Sequence, residues 1–311
     1  MRKLYVATLP VKSVFFLFAF LLFGFLANAA AISSTAAGGN WNATTSWVGG
    51  VVPGTGDDVT IVSTATVTVN VASNAKSVVV DGTLNVNANL VIANKGAVTV
   101  NTNANLTFNA TATISGGGGG SNAVDFTLNA GGNLTTANAA GITAAGNTTT
   151  GSIIVNGTKT YSTSANYAYN GVALQVTGNG LPATVNTLTI NNAVGVNLTS
   201  AVAVTTSLTI GSLIPNSIFN DNGRQVTSTG TLNLTSGTFH IGSGATATSY
   251  PGFTTNNIAA GTTVNYASTA AQTIVAVNYG NVTNTGNGPR TLASSGTIGI
   301  KNSFTPSTGA N

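Results

Sequence analysis

The sequence lacks cysteine and glutamate and has few charged residues of any kind. Its 311 residues include five acidic residues, all Asp, and one His; 5% are charged, while 42% are hydrophobic. Without cysteine, neither disulfide bonds nor thiolate metal sites can hold the chain together. Disorder normally accompanies few apolar residues and many charges, so this composition predicts a folded chain. Its stability must come from buried aliphatic side chains.

Residues 1–29 have the features of a secretory signal peptide. Three basic residues precede or flank the start of the apolar run Val14 to Leu26, and Ala27-Asn28-Ala29 offers small residues for cleavage. This run is shorter than the about 20 apolar residues that a membrane-spanning helix needs. An uncleaved anchor is the alternative. We therefore predict a secreted, extracellular protein, attached to the cell surface and without membrane insertion after cleavage.

Cleavage would also change the charge of the chain. Of the nine Lys and Arg residues, Arg2, Lys3 and Lys12 lie in the leader, so six remain against five Asp, a net charge of +1 (6 − 5). The basic character of the full sequence comes mostly from the leader. Nucleic-acid binding, which depends on clustered positive charge, is therefore not predicted.

The clearest pattern lies in residues 76–115, where apolar residues occur in pairs two positions apart. Such pairs are typical of short strands whose alternate side chains share one face. The six pairs are Val78/Val80, Leu84/Val86, Leu90/Ile92, Val98/Val100, Leu106/Phe108 and Ala112/Ile114. Every third pair recurs after about 20–22 residues, which predicts an all-β, right-handed parallel β-helix (β-solenoid) with three strands per turn. A meander of antiparallel hairpins is the alternative.

The corners of this coil carry asparagine and aspartate in matching positions. Asp81 would lie above Asn101, and Asn87 above Asn109, one turn apart. Side chains of this kind can adopt a positive φ and hydrogen-bond along a stack of turns. The three-pair period and these corners together favour the coil over the hairpins. Rungs are also expected in residues 123–160, but their phase cannot be assigned from the sequence.

Residues 30–61 are predicted to form an N-terminal cap and the first strand. Trp41 and Trp47 are large enough to cover the open end of a solenoid, and Pro53 helps to turn the chain into the coil. The segment contains a characteristic spacing of Trp41, Trp47, Gly49-Gly50, Pro53, Gly56-Asp57-Asp58-Val59 and Ile61. In this spacing it resembles the opening of secreted β-helix proteins of Bacteroidota and, more distantly, the start of G8-type domains. The resemblance implies a parallel β-helix at the cell surface and no catalytic residues.

The remaining chain, residues 62–311, is predicted to be solenoid, interrupted by a glycine-rich loop at 116–121. A longer repeat covers residues 159–304, because Tyr169 to Gln175 and Tyr266 to Gln272 share their spacing. These blocks resemble repeats of large Bacteroidota surface and adhesin-like proteins. The chain ends soon after a strand-like segment, so we expect it to be part of a longer protein.

Candidate chemistry is sparse. Carbohydrate-cleaving β-helices need clustered carboxylates, either as acid and base or to hold calcium, but here the five Asp are scattered. Asp57 and Asp58 are candidate calcium ligands, although a role in the cap turn is the favoured interpretation because adjacent residues on an extended chain point to opposite sides. His240 could form a triad with a serine and Asp221; as a lone residue between Phe239 and Ile241, it is predicted to face solvent instead. No catalytic residue and no cofactor is predicted.

Two surface features could bind a ligand. Tyr161, Tyr167 and Tyr169 could offer stacking faces to a glycan, but ordinary packing and strand propensity explain them as well, and packing is the favoured interpretation. Thr-x-Thr pairs could order water on an ice-binding face, but the pairs do not recur at the turn period. They are Thr64/Thr66/Thr68, Thr111/Thr113 and Thr246/Thr248. We expect a non-catalytic stalk or adhesin module whose partners are glycans or other surface proteins; the alternatives are a polysaccharide-binding or polysaccharide-degrading β-helix and an ice-binding solenoid.

Overall fold

A computed structural model of the protein describes residues 30–116 and 120–306. The predicted leader, 1–29, and the middle of the glycine-rich loop lie outside the described residues. The described chain contains two 3₁₀ turns, Thr44–Ser46 and Gly120–Asn122, and otherwise consists of short strands and the corners between them.

The strands, numbered in chain order, are 2 to 9 residues long. They are β1 Ala31–Ser33, β2 Gly39–Asn40, β3 Asp58–Ile61, β4 Thr66–Val69, β5 Ser73–Ala75, β6 Ser77–Val80, β7 Thr83–Val86, β8 Leu90–Ile92, β9 Ala97–Val100, β10 Asn105–Phe108, β11 Ile114–Gly116, β12 Asp125–Leu128, β13 Asn133–Thr136, β14 Ile153–Val155, β15 Lys159–Tyr161, β16 Asn166–Tyr169, β17 Gln175–Val176, β18 Thr184–Ile190, β19 Val196–Asn197, β20 Val202–Ile210, β21 Ser217–Asn220, β22 Val226–Ser228, β23 Thr231–Leu234, β24 Gly237–Gly244, β25 Thr255–Ile258, β26 Thr263–Ser268, β27 Gln272–Ile274, β28 Asn278–Tyr279, β29 Asn281–Thr283, β30 Arg290–Leu292, β31 Gly299–Ile300 and β32 Phe304–Thr305.

These strands stack into four long sheets whose neighbours come from successive turns of the chain. In order, sheet A is β1-β3-β6-β9-β12-β15, sheet B is β2-β4-β7-β10-β13-β16-β18-β20-β23-β25 with β22 beside β20, sheet C is β5-β8-β11-β14, and sheet D is β17-β19-β21-β24-β26-β29-β32; β27 pairs with β30 and β28 with β31. A typical early pairing, β7 with β10, is parallel and in register, with Leu84 beside Leu106. The chain is therefore a parallel β-helix, and the antiparallel meander is wrong.

The apolar pairs of the clean region face the interior as predicted. In sheets A and B, each strand between residues 58 and 108 buries two alternate side chains and turns the others outward. Every one of these inward positions is Val, Leu, Ile or Phe. Stacking places like side chains above one another, so a continuous aliphatic column fills the coil without any need for helices.

One pairing of the clean region differs from the prediction. Leu90 lies beside Ile114 and not beside Ala112. Ala112 is still buried, but it belongs to the corner before β11. The side chain of Asn109 causes this, because its oxygen accepts hydrogen bonds from the N–H groups of Thr111 and Ala112, at 3.0 and 2.7 Å, and so holds an extra turn before the strand.

Turn length also varies more than the sequence pattern indicates. Asn105 and Thr83, which hydrogen-bond across one turn of sheet B, are 22 residues apart in the chain. Asn166 and Asn133, which do the same farther along, are 33 residues apart. The long turns fall in residues 123–160, the part whose phase could not be assigned. The extra residues form corner loops, while each strand keeps its place in the stack.

The corner residues hydrogen-bond along the stack as predicted. The Asn101 amide donates to the Asp81 carboxylate at 2.6 Å, and the Asn129 amide donates to Asn101 at 2.8 Å one turn later. The Asn109 amide donates to the backbone oxygen of Asn87 at 2.8 Å. None of these residues has a positive φ, so that part of the prediction is wrong; the left-handed conformation occurs nearby instead, for example at Asn103, with φ of 63°.

The N-terminal layer rests on the first complete rung through β1 and β2. Trp41 and Trp47 are both buried there, with ring centroids 5.0 Å apart in an edge-on arrangement, and the Trp47 indole N–H donates to the Trp41 backbone oxygen at 2.7 Å. Pro53 is also buried in the segment leading to β3. β1 and β2 are the terminal strands of sheets A and B, and both rings belong to the buried core cluster at this end of the coil. Their role as a cap stays a prediction.

The second half of the chain has a different interior. Gln175 is fully buried, and its amide nitrogen donates to the backbone oxygens of Thr136 and Asn138, both at 3.0 Å. Its oxygen accepts from the Gly171 N–H at 2.7 Å and from Asn192 at 2.9 Å. All four hydrogen-bonding positions of the amide are thus occupied.

Gln272, the counterpart of Gln175 in the predicted longer repeat, makes a similar set of bonds. Its nitrogen donates to the backbone oxygens of Ile241 and Thr248, both at 3.0 Å, and its oxygen accepts from the Ser268 N–H at 3.2 Å. The two preceding tyrosines nevertheless lie in different sheets, Tyr169 in sheet B and Tyr266 in sheet D. The local turn is therefore shared, while a repeat over 159–304 stays a prediction.

Candidate functional site

The outward side of sheet B carries an extended surface of hydroxyl and amide groups, here called the polar face. Each strand from β4 to β25 contributes two outward side chains in register with those of its neighbours. The first column is Thr66, Thr83, Asn105, Asn133, Asn166, Thr187, Ser207, Thr231 and Thr255, and the second is Thr68, Asn85, Thr107, Thr135, Ala168, Thr189, Thr209, Asn233 and Asn257. None of these side chains is charged.

Stacking sets the geometry of the polar face. Neighbouring strands lie about 4.8 Å apart, and outward side chains two residues apart on one strand are separated by about 7 Å. The polar groups therefore form a regular two-column array along the coil axis.

Hydrogen bonds between strands fix several of these side chains. The Asn166 amide donates to Asn133 at 2.9 Å, and the Asn186 amide, just beside the first column, donates to Asn166 at 2.8 Å. Farther along, the Asn257 amide donates to Asn233 at 2.9 Å. These bonds hold the amide planes in place before any ligand arrives, which lowers the entropy lost on binding.

The polar face is not uniformly flat. A shallow groove of about 510 Å³ lies across β10, β13, β16 and β18, and all ten residues that line it are uncharged. Ala168 lies in its second column between Thr135 and Thr189. Because alanine has only a methyl group there, the column of polar side chains is interrupted at this rung, within the groove.

Sequence reasoning missed this face because it looked for Thr-x-Thr at a constant period. Of the pairs considered, only Thr66/Thr68 belongs to the polar face; Thr248, for instance, is buried. The array is visible only when Asn and Ser are counted with Thr and the unequal turns are aligned. The alternation of polar with apolar residues in each strand was the available signal.

None of the three tyrosines considered for glycan stacking presents its ring on the polar face. Tyr167 and Tyr169 are 1% and 0% exposed, so their rings pack inside the coil and offer no face to a glycan. Their hydroxyls donate to the backbone oxygens of Ser162 and Thr177, both at 2.7 Å. Tyr161 is half-buried against the core, with its ring centroid 5.6 Å from that of Phe126. Burial raises the pKa of all three phenols.

Asp57 and Asp58 do not converge on a common point. The Asp57 carboxylate accepts the Gly54 N–H at 2.8 Å and the Ala30 N–H at 3.3 Å, and the Asp58 carboxylate accepts the Ser77 hydroxyl. Both therefore serve the turn and the strand edge at the start of the coil. Within residues 30–116 and 120–306, no group of three or more His, Cys, Asp or Glu side chains is placed to hold a metal ion.

His240 and Asp221 do not form a triad. The Asp221 carboxylate accepts the N–H groups of Gly223 and Gly242, at 2.9 and 2.8 Å, and the Thr248 hydroxyl. Burial raises the pKa of this carboxyl, and the three hydrogen bonds oppose the shift.

The His240 ring lies outward between the buried Phe239 and Ile241, as predicted. The Asn265 amide contacts its Nδ1 at 2.7 Å, and burial lowers the pKa of His240. An amide N–H can only donate, so the neutral ring with a proton on Nε2 fits this contact. His240 lies between Asn220 and the buried Asn265 in a column of polar side chains on sheet D.

Lys159 carries no motif in the sequence, yet it faces inward where Val98 and Phe126 do on earlier turns of sheet A. Its ammonium donates to the backbone oxygens of Ile153 and Asn147, at 2.6 and 2.7 Å. Burial lowers the pKa of Lys159 to about 8. The side chain ties the loop between β13 and β14 to the coil.

The fold and the polar face define this chain as a parallel β-helix protein with an uncharged hydrogen-bonding surface on one side. Comparison with protein-family models, curated proteins and solved structures finds no match. Among the described residues, no helix has the length and apolar character to cross a membrane.

Proposed function

We propose that the protein is a non-catalytic module of the cell surface, a stiff β-solenoid that serves as a stalk or adhesin segment and binds glycans through the polar face. The observation that carries this proposal is the array of uncharged hydroxyl and amide groups on the successive strands of sheet B from β4 to β25. Glycans present hydroxyl groups in the same dense, regular manner, so hydrogen bonds can form at many points along one chain.

Adhesion of this kind works by repetition. A single neutral hydrogen bond contributes only about 0.5–1.5 kcal/mol net, so one rung binds weakly. Several rungs that engage one polymer act together, because each contact after the first is effectively intramolecular. The coil supplies the rigidity that keeps all rungs available at once.

A non-catalytic role is supported by the local engagement of the carboxylates. Asp81 accepts from Asn101, and Asp125 accepts the Thr158 N–H at 2.7 Å. Asp221 is buried and bonded within its own corner. Hydrolysis of a glycosidic bond requires two carboxyl groups facing each other across the substrate, and these side chains lie at separate corners.

Secretion and surface attachment are supported by the leader-like residues 1–29. The resemblance of residues 41–61 and 159–304 to Bacteroidota β-helix and adhesin-like proteins points the same way. Partners in this proposal are glycans and, secondarily, other surface proteins.

The test is binding of the purified protein to a glycan array and to whole cells, combined with a reducing-end assay on the same glycans. We expect retention on glycans or cells without release of new reducing ends. Release of reducing ends that disappears when any one Asp is replaced by Asn would instead show the alternative, a polysaccharide-degrading β-helix.

Ice binding is a second candidate, favoured by one observation. Hydroxyl or amide groups occur at both outward positions of every strand of the polar face except at Ala168. An ice-binding surface requires such recurrence from turn to turn, and the Thr-x-Thr pairs alone do not provide it. A regular array of hydroxyl and amide groups at the strand spacing can order water. Ice shaping or thermal hysteresis that is lost in Thr209→Lys would support this candidate, and unaltered growth of ice crystals would exclude it.

A further inference from the structure

We propose that the groove around Ala168 is the primary subsite of the polar face and that it takes a segment of a neutral, unbranched polysaccharide lying parallel to the coil axis. This inference rests on the proposed glycan-binding function and assigns its site and ligand class.

The shape of the groove indicates that a sugar binds at the rung of Ala168. Thr135, Ala168 and Thr189 are aligned on three successive strands, and only the middle one lacks a side chain beyond Cβ. The missing atoms leave room for a sugar ring or hydroxymethyl group at this rung. The volume of about 510 Å³ exceeds what one hexose needs, and the groove extends over four strands, so several linked sugars can lie in it.

The amide N–H donors along the groove indicate that the polysaccharide lies parallel to the coil axis. Asn133, Asn166 and Asn186 form one line in which each amide nitrogen donates one hydrogen bond within the protein, to Ala104, Asn133 and Asn166 at 3.0, 2.9 and 2.8 Å. A primary amide has two N–H donors, so each nitrogen retains a second donor for a ligand. These second donors recur at the strand spacing of about 4.8 Å, which suits a ligand that presents oxygens at regular intervals along the axis.

The residues that line the groove favour a neutral polysaccharide. All ten residues at the groove are uncharged, so an acidic polysaccharide would lose hydration of its carboxylates without gaining a cation in exchange. Aromatic rings are absent from the outward positions of the groove, because Tyr167 is 1% exposed. Recognition here therefore depends on hydrogen bonds to neutral hydroxyl groups and on the shape of the gap above the Ala168 methyl group, here called the notch.

The experiment fills the notch and leaves the remaining face intact. Ala168→Leu places a larger side chain where the sugar would lie. The matched control is Ala203→Leu, another outward alanine of sheet B, aligned between Thr184 and Thr227 and outside the groove. Asn166→Ala removes the central donor without filling the notch. Affinity electrophoresis and calorimetry compare the three variants with the unmodified protein on two neutral, unbranched polymers, mixed-linkage β-glucan and pullulan, and on polygalacturonate and alginate as acidic counterparts.

We expect binding to a neutral polymer that Ala168→Leu weakens at least about tenfold, Asn166→Ala weakens about fivefold, and Ala203→Leu leaves unchanged. Circular dichroism of each variant excludes misfolding as the cause. Glycan binding that survives Ala168→Leu, or that prefers the acidic polymers, overturns the groove assignment while the adhesive function stands. An unmodified protein that binds neither these polymers, nor the glycan array, nor cells overturns both.

Discussion

The two halves of the coil have the same parallel stacking of strands but bury different kinds of side chains. Between residues 58 and 108, the inward positions of sheets A and B are all aliphatic or Phe, and the turns are short. From about residue 166 onward, the interior also holds amides and a carboxylate. Gln175, Asn192, Asp221 and Gln272 are at most 5% exposed. The backbone stacking is the same in both halves, so it does not depend on a purely apolar core.

What differs is the kind of interaction that makes each interior stable. In the first half, stability comes from the burial of aliphatic surface, which contributes about 25 cal/mol per Å². This contribution does not depend on the orientation of the side chains, so one aliphatic residue can substitute for another of similar size. In the second half, each buried polar group needs partners at specific positions, because an unpaired one costs about 1–3 kcal/mol. The second half should therefore tolerate shape-conserving substitutions far less well than the first.

The largest expected effect comes from substituting methionine at one inward position in each half. Gln175→Met conserves volume but leaves the buried Gly171 N–H unpaired and removes one of the two hydrogen bonds that each of the Thr136 and Asn138 backbone oxygens accepts. It also removes the bond from Asn192, so we expect a loss of about 3 kcal/mol in the free energy of unfolding. Leu106→Met should cost less than about 1.5 kcal/mol. Urea denaturation of both variants measures the difference. Equal losses would mean that the amide network contributes nothing beyond volume.

A smaller effect is expected at the boundary between the halves, where Lys159 ends the aliphatic column of sheet A. Burial lowers its pKa from 10.5 to about 8. Between these two pH values the unfolded chain keeps a proton that the folded chain has lost, so this group makes the protein more stable as the pH rises through that window. Lys159→Met removes the effect.

The measurement is the difference in unfolding free energy between the unmodified protein and Lys159→Met at pH 7.5 and at pH 10. We expect the difference to shift in favour of the unmodified protein at the higher pH. Parallel pH profiles would show that the Lys159 amine is not buried as described.

The smallest effect is expected for the corner stacks that both halves share. Asn101→Ala breaks the contacts with Asp81 and Asn129, which are partly exposed to water. We expect a loss of about 1 kcal/mol, because one bond to a carboxylate and one between amides are lost, both at sites where water can replace the missing partner. Thermal unfolding should show a small decrease in Tm with an unchanged β-sheet spectrum. A loss as large as that of Gln175→Met would indicate that corners, not interiors, hold the turns together.

The same contrast explains which parts of the fold could be predicted from sequence. Val78/Val80 to Leu106/Phe108 follow a strict alternation, so their strands and stacking were predictable. Gln175 interrupts the apolar pattern, and its partners Thr136 and Asn138 lie 39 and 37 residues earlier, across a long loop. No local pattern contains that pairing. Only the backbone path brings these groups together.

The polar face was hidden for a related reason. Each of its strands reads as an ordinary half-exposed strand, and its regularity exists only after turns of unequal length have been aligned. Thr66 and Asn105, for example, share a column although two turns of different length separate them. The tyrosines, by contrast, were conspicuous in the sequence, yet Tyr167 and Tyr169 pack inward because they occupy the same positions as Leu134 and Thr136 on the preceding turn.

The most direct test of the account is a disulfide that joins two successive rungs of the polar face. The chain has no cysteine, and Thr107 and Thr135 lie directly beside each other on β10 and β13, at a strand spacing that a disulfide can bridge. In oxidising conditions, the double variant with Cys at both positions should form this bond in high yield, as read by mass spectrometry of the digest. Cysteines at Thr99 and Thr107, which an antiparallel hairpin would bring together, should stay reduced because they lie in different sheets. A bond between 99 and 107 with none between 107 and 135 would contradict the parallel coil and the polar face built on it.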